Sequence, residues 1–157
     1  MLNLKLKDIL LIKTPLILKD QKLICYPYLI AVVKVIMPRP FLKPRIAKTV
    51  ITADLVKGVV GRSNMVPEVS EVKIKSEALI PSQLQDEEAI NKVRKLALKW
   101  ALSKFHLMKT PDIEIEKVEK AYKAFILTNN ENDKTILVDS MKGLNDYIDL
   151  TDKLIYK

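Results

Sequence analysis

The sequence is poor in the residues on which covalent cross-links, metal centres and phosphate-binding loops depend. It has one cysteine, one histidine and three glycines among 157 residues. A single cysteine excludes an intrachain disulfide, and one Cys with one distant His gives no ligand cluster for zinc. No glycine-rich phosphate-binding motif occurs either. We therefore expect no catalytic residue, no metal and no cofactor, and we predict that the protein is not an enzyme.

Long hydrophobic runs are also missing. The longest apolar run, Leu23–Val33, contains Pro27 and is too short to cross a bilayer. Residues 1–20 are apolar, but Lys and Asp residues interrupt them, so they lack the core of a signal peptide. We expect no membrane span and a soluble, cytoplasmic protein.

Positive charge is in excess, and it is unevenly distributed. The chain has 27 Lys/Arg and 19 Asp/Glu, a net charge of +8. Residues 1–63 have twelve Lys/Arg against three Asp/Glu, whereas residues 64–157 have fifteen against sixteen. The whole surplus therefore lies in the first two fifths of the chain, which indicates an anionic partner.

Residues Ser82–Phe105 form the one segment with a strong helical pattern. Ser82 and Gln85 fit a capping box, and three acidic residues follow where the helix dipole favours them. Apolar residues then recur at helical spacing: Ala89, Val93, Leu96 and Trp100, widened by Ile90, Ala97 and Ala101. This broad stripe predicts a helix that packs on a sheet.

The rest of the chain has the patterns of strands and turns. Leu23–Met37 predicts a long strand with Pro27 at an edge or bulge, followed by a stiff basic loop, Pro38–Arg45, and a returning strand, Ala47–Ala53. Lys117–Leu127 also fits a helix, but the turn signal after it favours a strand that pairs with Thr135–Val138.

These segments predict an α+β fold in which an antiparallel, bent sheet packs on one long central helix. We expect residues 1–157 to form a single compact domain or two tightly joined lobes. In the second case, residues 1–80 would be the strand-rich basic lobe and residues 81–157 the lobe of helix and hairpin.

Two segments resemble each other and predict two hairpin repeats. The first runs from Tyr26 to the sequence Asp-Leu-Val-Lys-Gly ending at Gly58, and the second from Tyr122 to Asp-Ser-Met-Lys-Gly ending at Gly143. In each, aromatic residues precede a hairpin that closes on Asp-x-x-x-Gly with Lys before the Gly. The Asp side chain would cap the turn, and Gly would adopt a backbone conformation that other residues resist.

The second copy and its helix resemble the PepSY-like small domains. In that family a helix with an acidic Glu-Glu-Ala start packs on a hairpin that ends in Val-Asp-x-x-x-Gly. Here these residues are Glu87-Glu88-Ala89 and Val138-Asp139-Ser-Met-Lys-Gly143, so the resemblance covers residues 86–143. It implies an inhibitory, regulatory or ligand-sensing role and carries over no functional residue.

The candidate binding segment is residues 22–48, which lie within the acid-free run from Gln21 to Ala53. Its cations would neutralise phosphates, and its aromatic residues would stack on bases. The alternative is a solvated loop whose aromatic residues belong to the core. The candidate binding residues are Lys22, Lys34, Arg39, Phe41, Lys43, Arg45 and Lys48.

We predict from these features a non-enzymatic binding or regulatory protein that acts through contacts with another protein. The alternative is a nucleic-acid-associated protein that uses the basic segment. A small-molecule pocket between helix and sheet is a third hypothesis. The single histidine, His106, fits a helix-end residue better than a catalytic base, and Cys25 fits a buried strand position.

Overall fold

The computed structural model describes residues 6–13, 23–129, 135–139 and 147–149. This part of the chain is broadly α+β, as predicted. Its helix is α1 (Asp86–Lys104), and a short 3-10 turn, Ser76–Ala78, precedes it. The strands are β1 (Leu6–Ile12), β2 (Leu23–Arg39), β3 (Leu42–Asp54), β4 (Val60–Ser63), β5 (Val69–Lys75), β6 (Asp112–Asn129), β7 (Thr135–Asp139) and β8 (Tyr147–Asp149).

The chain divides into two compact units, and each combines segments that are distant in sequence. The first unit is Met1–Pro27, Pro67–Ser82 and Ala121–Lys157, and the second is Tyr28–Val66 and Gln83–Lys120. The long strands β2 and β6 each contribute residues to both units. The prediction of one domain or two lobes stays a prediction.

In the second unit the strand order is β4-β3-β2-β6. Strands β2 and β3 form an antiparallel hairpin whose register runs from Tyr28 opposite Asp54 to Arg39 opposite Leu42. Alternate residues of β2 are 0% exposed because their side chains enter the core against the helix. These residues are Ala31, Val33, Val35 and Met37.

Helix α1 packs on β2 and β3 through a stripe of mostly small residues. Its buried side chains are Ala89, Val93, Ala97 and Ala101. Alanine lets a helix approach a sheet closely and has the highest helix propensity. The predicted capping box is wrong: the helix begins at Asp86 with Gln85 as N-cap, and no side chain caps it. Ser82 therefore lies before the helix.

The first unit has a mixed sheet with its own apolar core. Strand β1 pairs antiparallel with β5 but runs parallel to β6, with Leu11 opposite Tyr122. The prediction of an antiparallel sheet throughout is therefore wrong, because two strands far apart in sequence have no hairpin to fix their direction. The buried residues of this core are Ile9, Leu11, Cys25 and Ala124.

The turn from Asp54 to Gly58 has the predicted geometry. The Asp54 carboxylate accepts the backbone N–H groups of Val56 at 2.8 Å and Lys57 at 3.2 Å. Gly58 has a φ of 75°, in the left-handed region that favours glycine. The corresponding residues of the second copy after Asp139 lie outside the described residues.

The strand predicted from Lys117 to Leu127 is confirmed as the middle of β6. Strand β7 pairs with it antiparallel, with Phe125 opposite Asp139. Strand β4 was not expected from the sequence. It is only four residues long and adds to β3 after the Gly58 turn, with Ile51 opposite Arg62.

Candidate functional site

The segment predicted as a basic loop, Pro38–Arg45, is the end of the β2–β3 hairpin. Only Pro40 and Phe41 form its turn. The pairing is irregular between Met37 and Arg39, so Pro38 and Pro44 have no ladder partner in β2 and β3. Proline has no N–H to donate, and an irregular stretch of a strand tolerates it for that reason. The prolines therefore stiffen the strands without ending them.

Phe41 occupies the most exposed position of this turn in a disfavoured backbone conformation. Its φ is 61°, and its relative exposure is 105%. Pro40 before it fixes its own φ at about −65°. A negative φ at the first central position followed by a positive φ at the second is typical of a type II turn. Such a turn normally has Gly or Asn at the second central position. A bulky aromatic residue there is unusual.

Exposed cationic and apolar side chains lie close together around the turn. Leu42 is 64% exposed and Ile46 is 53% exposed, beside the exposed residues Arg39, Lys43 and Arg45. The Arg39 Nε atom donates a hydrogen bond to the Lys43 carbonyl oxygen at 2.9 Å, across the end of the hairpin. This bond and the prolines hold the end of the hairpin in one shape.

Arg45 connects the hairpin to a cluster of cations and aromatic rings at the end of α1. The Arg45 guanidinium lies 4.5 Å from the centre of the Phe105 ring. Phe105 in turn meets Trp100 edge to face at 5.7 Å. Arg62 lies 5.1 Å and Lys104 5.3 Å from the centre of the Trp100 ring. Three cations are thus held by two rings.

Several of these cluster residues were not among the sequence-based candidates. Trp100 and Lys104 are one helical turn apart, and this spacing is visible in the sequence. Arg62 reaches the Trp100 ring only because β4 pairs with β3, and its guanidinium also donates to Asn64 Oδ1 at 3.1 Å. Without β4, no sequence pattern could place Arg62 here.

Five cations make up what we call the cationic end of the second unit: Arg39, Lys43, Arg45, Arg62 and Lys104. Among the described residues, none of them lies in an ion pair with a carboxylate. Guanidinium groups stacked on rings keep their N–H donors directed around the edge of the plane, where an anion can accept them. The arrangement can therefore hold phosphate or carboxylate groups.

The remaining sequence-based candidates lie elsewhere. Lys34 and Lys48 are opposite each other in the middle of the β2–β3 hairpin. Their ammonium groups lie 4.0 Å from Glu114 and 3.2 Å from Glu116 of β6, respectively. Lys22 lies outside the described residues. The structure thus brings together Arg39, Phe41, Lys43 and Arg45 and places the two paired lysines apart from them.

The chemistry of the single cysteine agrees with its predicted burial. Cys25 is 0% exposed in the core of the first unit. Desolvation raises the pKa of its thiol to about 11, because burial disfavours the charged thiolate. The thiol therefore stays protonated at neutral pH, which makes it a poor nucleophile.

Within the described part of the chain, no group of three or more His, Cys, Asp or Glu residues could hold a metal ion. The same residues include no helix with the length and apolarity needed to cross a bilayer.

One cavity in the first unit bears on the small-molecule hypothesis. Its volume is about 490 Å³. It is lined by residues of the strands and the 3-10 turn rather than by α1: Leu6, Leu23, Lys73, Ile74, Lys75, Glu77, Ala78 and Leu127. The third hypothesis placed a pocket between helix and sheet, so this cavity is not the predicted one.

Comparison with protein-family models, with curated proteins and with solved structures gives no match for this chain.

Proposed function

We propose that the protein is a non-enzymatic, nucleic-acid-associated binding protein that holds its partner on the cationic end of the second unit. One observation supports this proposal above the others. Arg39 and Lys43 at the hairpin turn and the three cations held by Trp100 and Phe105 are all exposed, and none has a carboxylate partner among the described residues. Phosphate groups are the anions that such a set binds best in a repeating chain.

The expected binding is electrostatic and depends on salt. If all five cations displace counterions from a single strand, the slope of log K against log salt is about −3.5, since each phosphate contact contributes about −0.7. The binding would be rapid and only weakly dependent on base sequence, because phosphate contacts carry no sequence information.

Titration of the full chain with labelled single-stranded and duplex oligonucleotides at several salt concentrations tests the proposal. The double variant Arg39→Ala, Lys43→Ala should weaken binding about tenfold at low salt and make the slope less steep by about 1.4. The matched control is Lys34→Ala, Lys48→Ala, which removes the same charge from the same two strands but from residues that already pair with Glu114 and Glu116.

Two results would contradict the proposal. Absence of binding at low salt would remove nucleic acid as the partner. Equal losses in the two double variants would show that only the net charge matters and that the cationic end is not a site.

The second candidate function is contact with another protein, which the sequence favoured. The observation behind it is the exposed apolar group at the hairpin end, Phe41, Leu42 and Ile46, among arginines. Aromatic and Arg residues are enriched where binding energy concentrates in protein interfaces. A partner would need an apolar pocket with an acidic rim. Capture of one defined protein by the native chain, lost with Phe41→Gly but retained by the Lys34/Lys48 control, would support this function.

We also propose that the two hairpins are repeats of one unit and that the PepSY-like resemblance of residues 86–143 is genuine. In the first hairpin Tyr28 lies opposite Asp54, and in the second Phe125 lies opposite Asp139, so in each an aromatic residue lies opposite the Asp of the Asp-x-x-x-Gly motif. A bent sheet around a central helix and a regulatory role belong to the same proposal, whereas a cytoplasmic location is proposed separately. An experimental structure of the second hairpin turn would test the repeat.

A further inference from the structure

We propose that Phe41 is a base-stacking residue that makes the cationic end select single-stranded over duplex nucleic acid. This inference rests on the proposed function and names its substrate class. It is based on three properties of one residue: its exposure, its backbone conformation and the cations on either side.

The exposure shows that the ring of Phe41 has no part in the core. At 105% relative exposure, the side chain is as accessible as in an isolated residue. An isolated apolar side chain on a surface is ordinary. This one, however, lies at a hairpin turn between the exposed cations Arg39 and Lys43, with the exposed Leu42 beside it.

The backbone conformation adds a second, independent argument. A φ of 61° disfavours Phe and suits Gly or Asn, so the turn by itself would be more stable with either of those residues. Strained positions of this kind cluster at functional sites. The stability of the fold therefore does not explain why this turn has an aromatic residue.

The rigidity of the hairpin end makes the ring useful for binding. Prolines precede and follow the turn, and the hydrogen bond from Arg39 to the Lys43 carbonyl joins its two strands. Because the backbone that carries Phe41 is held in place before binding, less entropy is lost when a base stacks on the ring. Its neighbours Arg39 and Lys43 lie one on each strand, where they can contact the phosphates on either side of the stacked base.

These features favour a single strand as the partner. Every base has a face that can stack on an aromatic ring, and in a single strand that face is free. In a duplex the bases already stack on one another, so Phe41 gains little and only the phosphate contacts remain. Discrimination between the two forms should therefore depend on Phe41, while the cations contribute to both.

The test uses Phe41→Gly in the full chain, with labelled oligothymidylate and a duplex of equal length. The affinity for oligothymidylate should fall about 5-fold to 150-fold, the range expected for one lost base–aromatic stack. The affinity for duplex and the salt slope should stay unchanged. The thermal midpoint should not fall, because glycine suits the turn. Loss of binding therefore cannot be attributed to unfolding.

Phe41→Trp is the complementary variant, since it keeps an aromatic ring at the turn. It should retain the preference for oligothymidylate, and its added fluorescence should be quenched as the base stacks. An unchanged affinity of Phe41→Gly for the single strand would overturn the inference. So would duplex binding as tight as single-strand binding in the native chain. Neither outcome contradicts the proposed function. That proposal fails only if the chain binds neither nucleic acid, or if the Arg39/Lys43 variant loses no more affinity than the Lys34/Lys48 control.

Discussion

Strand β3 lies between two turns that each contain a residue with positive φ. The two turns differ in the type of that residue and in its exposure. At one end the residue is Gly58, which is buried beside an Asp54 side chain that accepts two backbone N–H groups. At the other end it is Phe41, which is fully exposed.

The difference shows which turn serves the fold. Where a buried turn requires positive φ, the sequence has glycine at that position and an Asp side chain that caps the turn. Where the ring points into solvent, the sequence keeps a residue that the backbone disfavours. Substitutions at the two turns should therefore have opposite effects on stability.

The largest effect is expected at the cap of the Gly58 turn. Asp54→Ala removes the acceptor of the buried Val56 N–H and of the Lys57 N–H, and should lower the free energy of unfolding by about 2–3 kcal/mol. Urea denaturation measures this loss. Asp54→Asn keeps an oxygen acceptor and should cost about 1 kcal/mol or less. Equal losses for Ala and Asn would mean that the carboxylate oxygen does not cap the turn.

Gly58→Ala should destabilise the chain by about 1–2 kcal/mol, since an L-residue resists its φ of 75°. The added Cβ would also lie 2.6 Å from the Lys92 ammonium, which donates to the Gly58 carbonyl oxygen. This flexible side chain can move away, so the loss of that hydrogen bond is a smaller contribution. A second variant, Lys92→Ala, separates the two effects. Stability retained in Gly58→Ala would contradict the assigned turn geometry.

Phe41→Gly should raise the free energy of unfolding by about 0.5 kcal/mol. Relief of the positive φ stabilises the folded state, and the greater freedom of glycine in the unfolded chain offsets part of the gain. Thermal unfolding can detect this sign. A loss above about 1 kcal/mol would show that the ring supports the fold, and it would remove the contrast between the two turns.

The smallest effect is expected between the two turns. Lys48 lies on β3 with its ammonium 3.2 Å from Glu116, and its side chain is 60% exposed. Lys48→Ala should change the free energy of unfolding by less than about 0.5 kcal/mol, because exposed ion pairs contribute little. A larger change, measured beside Asp54→Ala in the same denaturant series, would show that the middle of the strand also controls stability.

Local patterns predicted much of the fold. The Asp54–Gly58 turn, the long strand from Leu23 and the strand around Lys117–Leu127 were all identified by local residue types. The prolines at positions 38, 40 and 44 led to the prediction of a loop where the structure has a hairpin. Two of these prolines lie where strand pairing is irregular and the third lies in the turn, so the strands tolerate them. The parallel pairing of β1 with β6 depends on distant parts of the chain, and no local pattern predicts it.

The candidate site was predicted in part. Charge and aromatic content identified Arg39, Phe41, Lys43 and Arg45, which do lie on one hairpin end. The same criteria also selected Lys34 and Lys48, because a sequence does not show that Glu114 and Glu116 lie beside them. The sequence places Trp100 in the apolar stripe of the helix. In the structure its side chain is only half-buried, and its ring also contacts two cations, Arg62 and Lys104.

The chain's single cysteine and single tryptophan lie in different units, with Cys25 in the first and Trp100 in the second. Each is therefore a built-in spectroscopic or chemical probe of one unit, without any engineered label. Thiol labelling during denaturation reports exposure of the buried Cys25, and tryptophan fluorescence reports the surroundings of Trp100. Coincident transitions would mean that the two units unfold as one cooperative body, and separated transitions would give each unit a stability of its own.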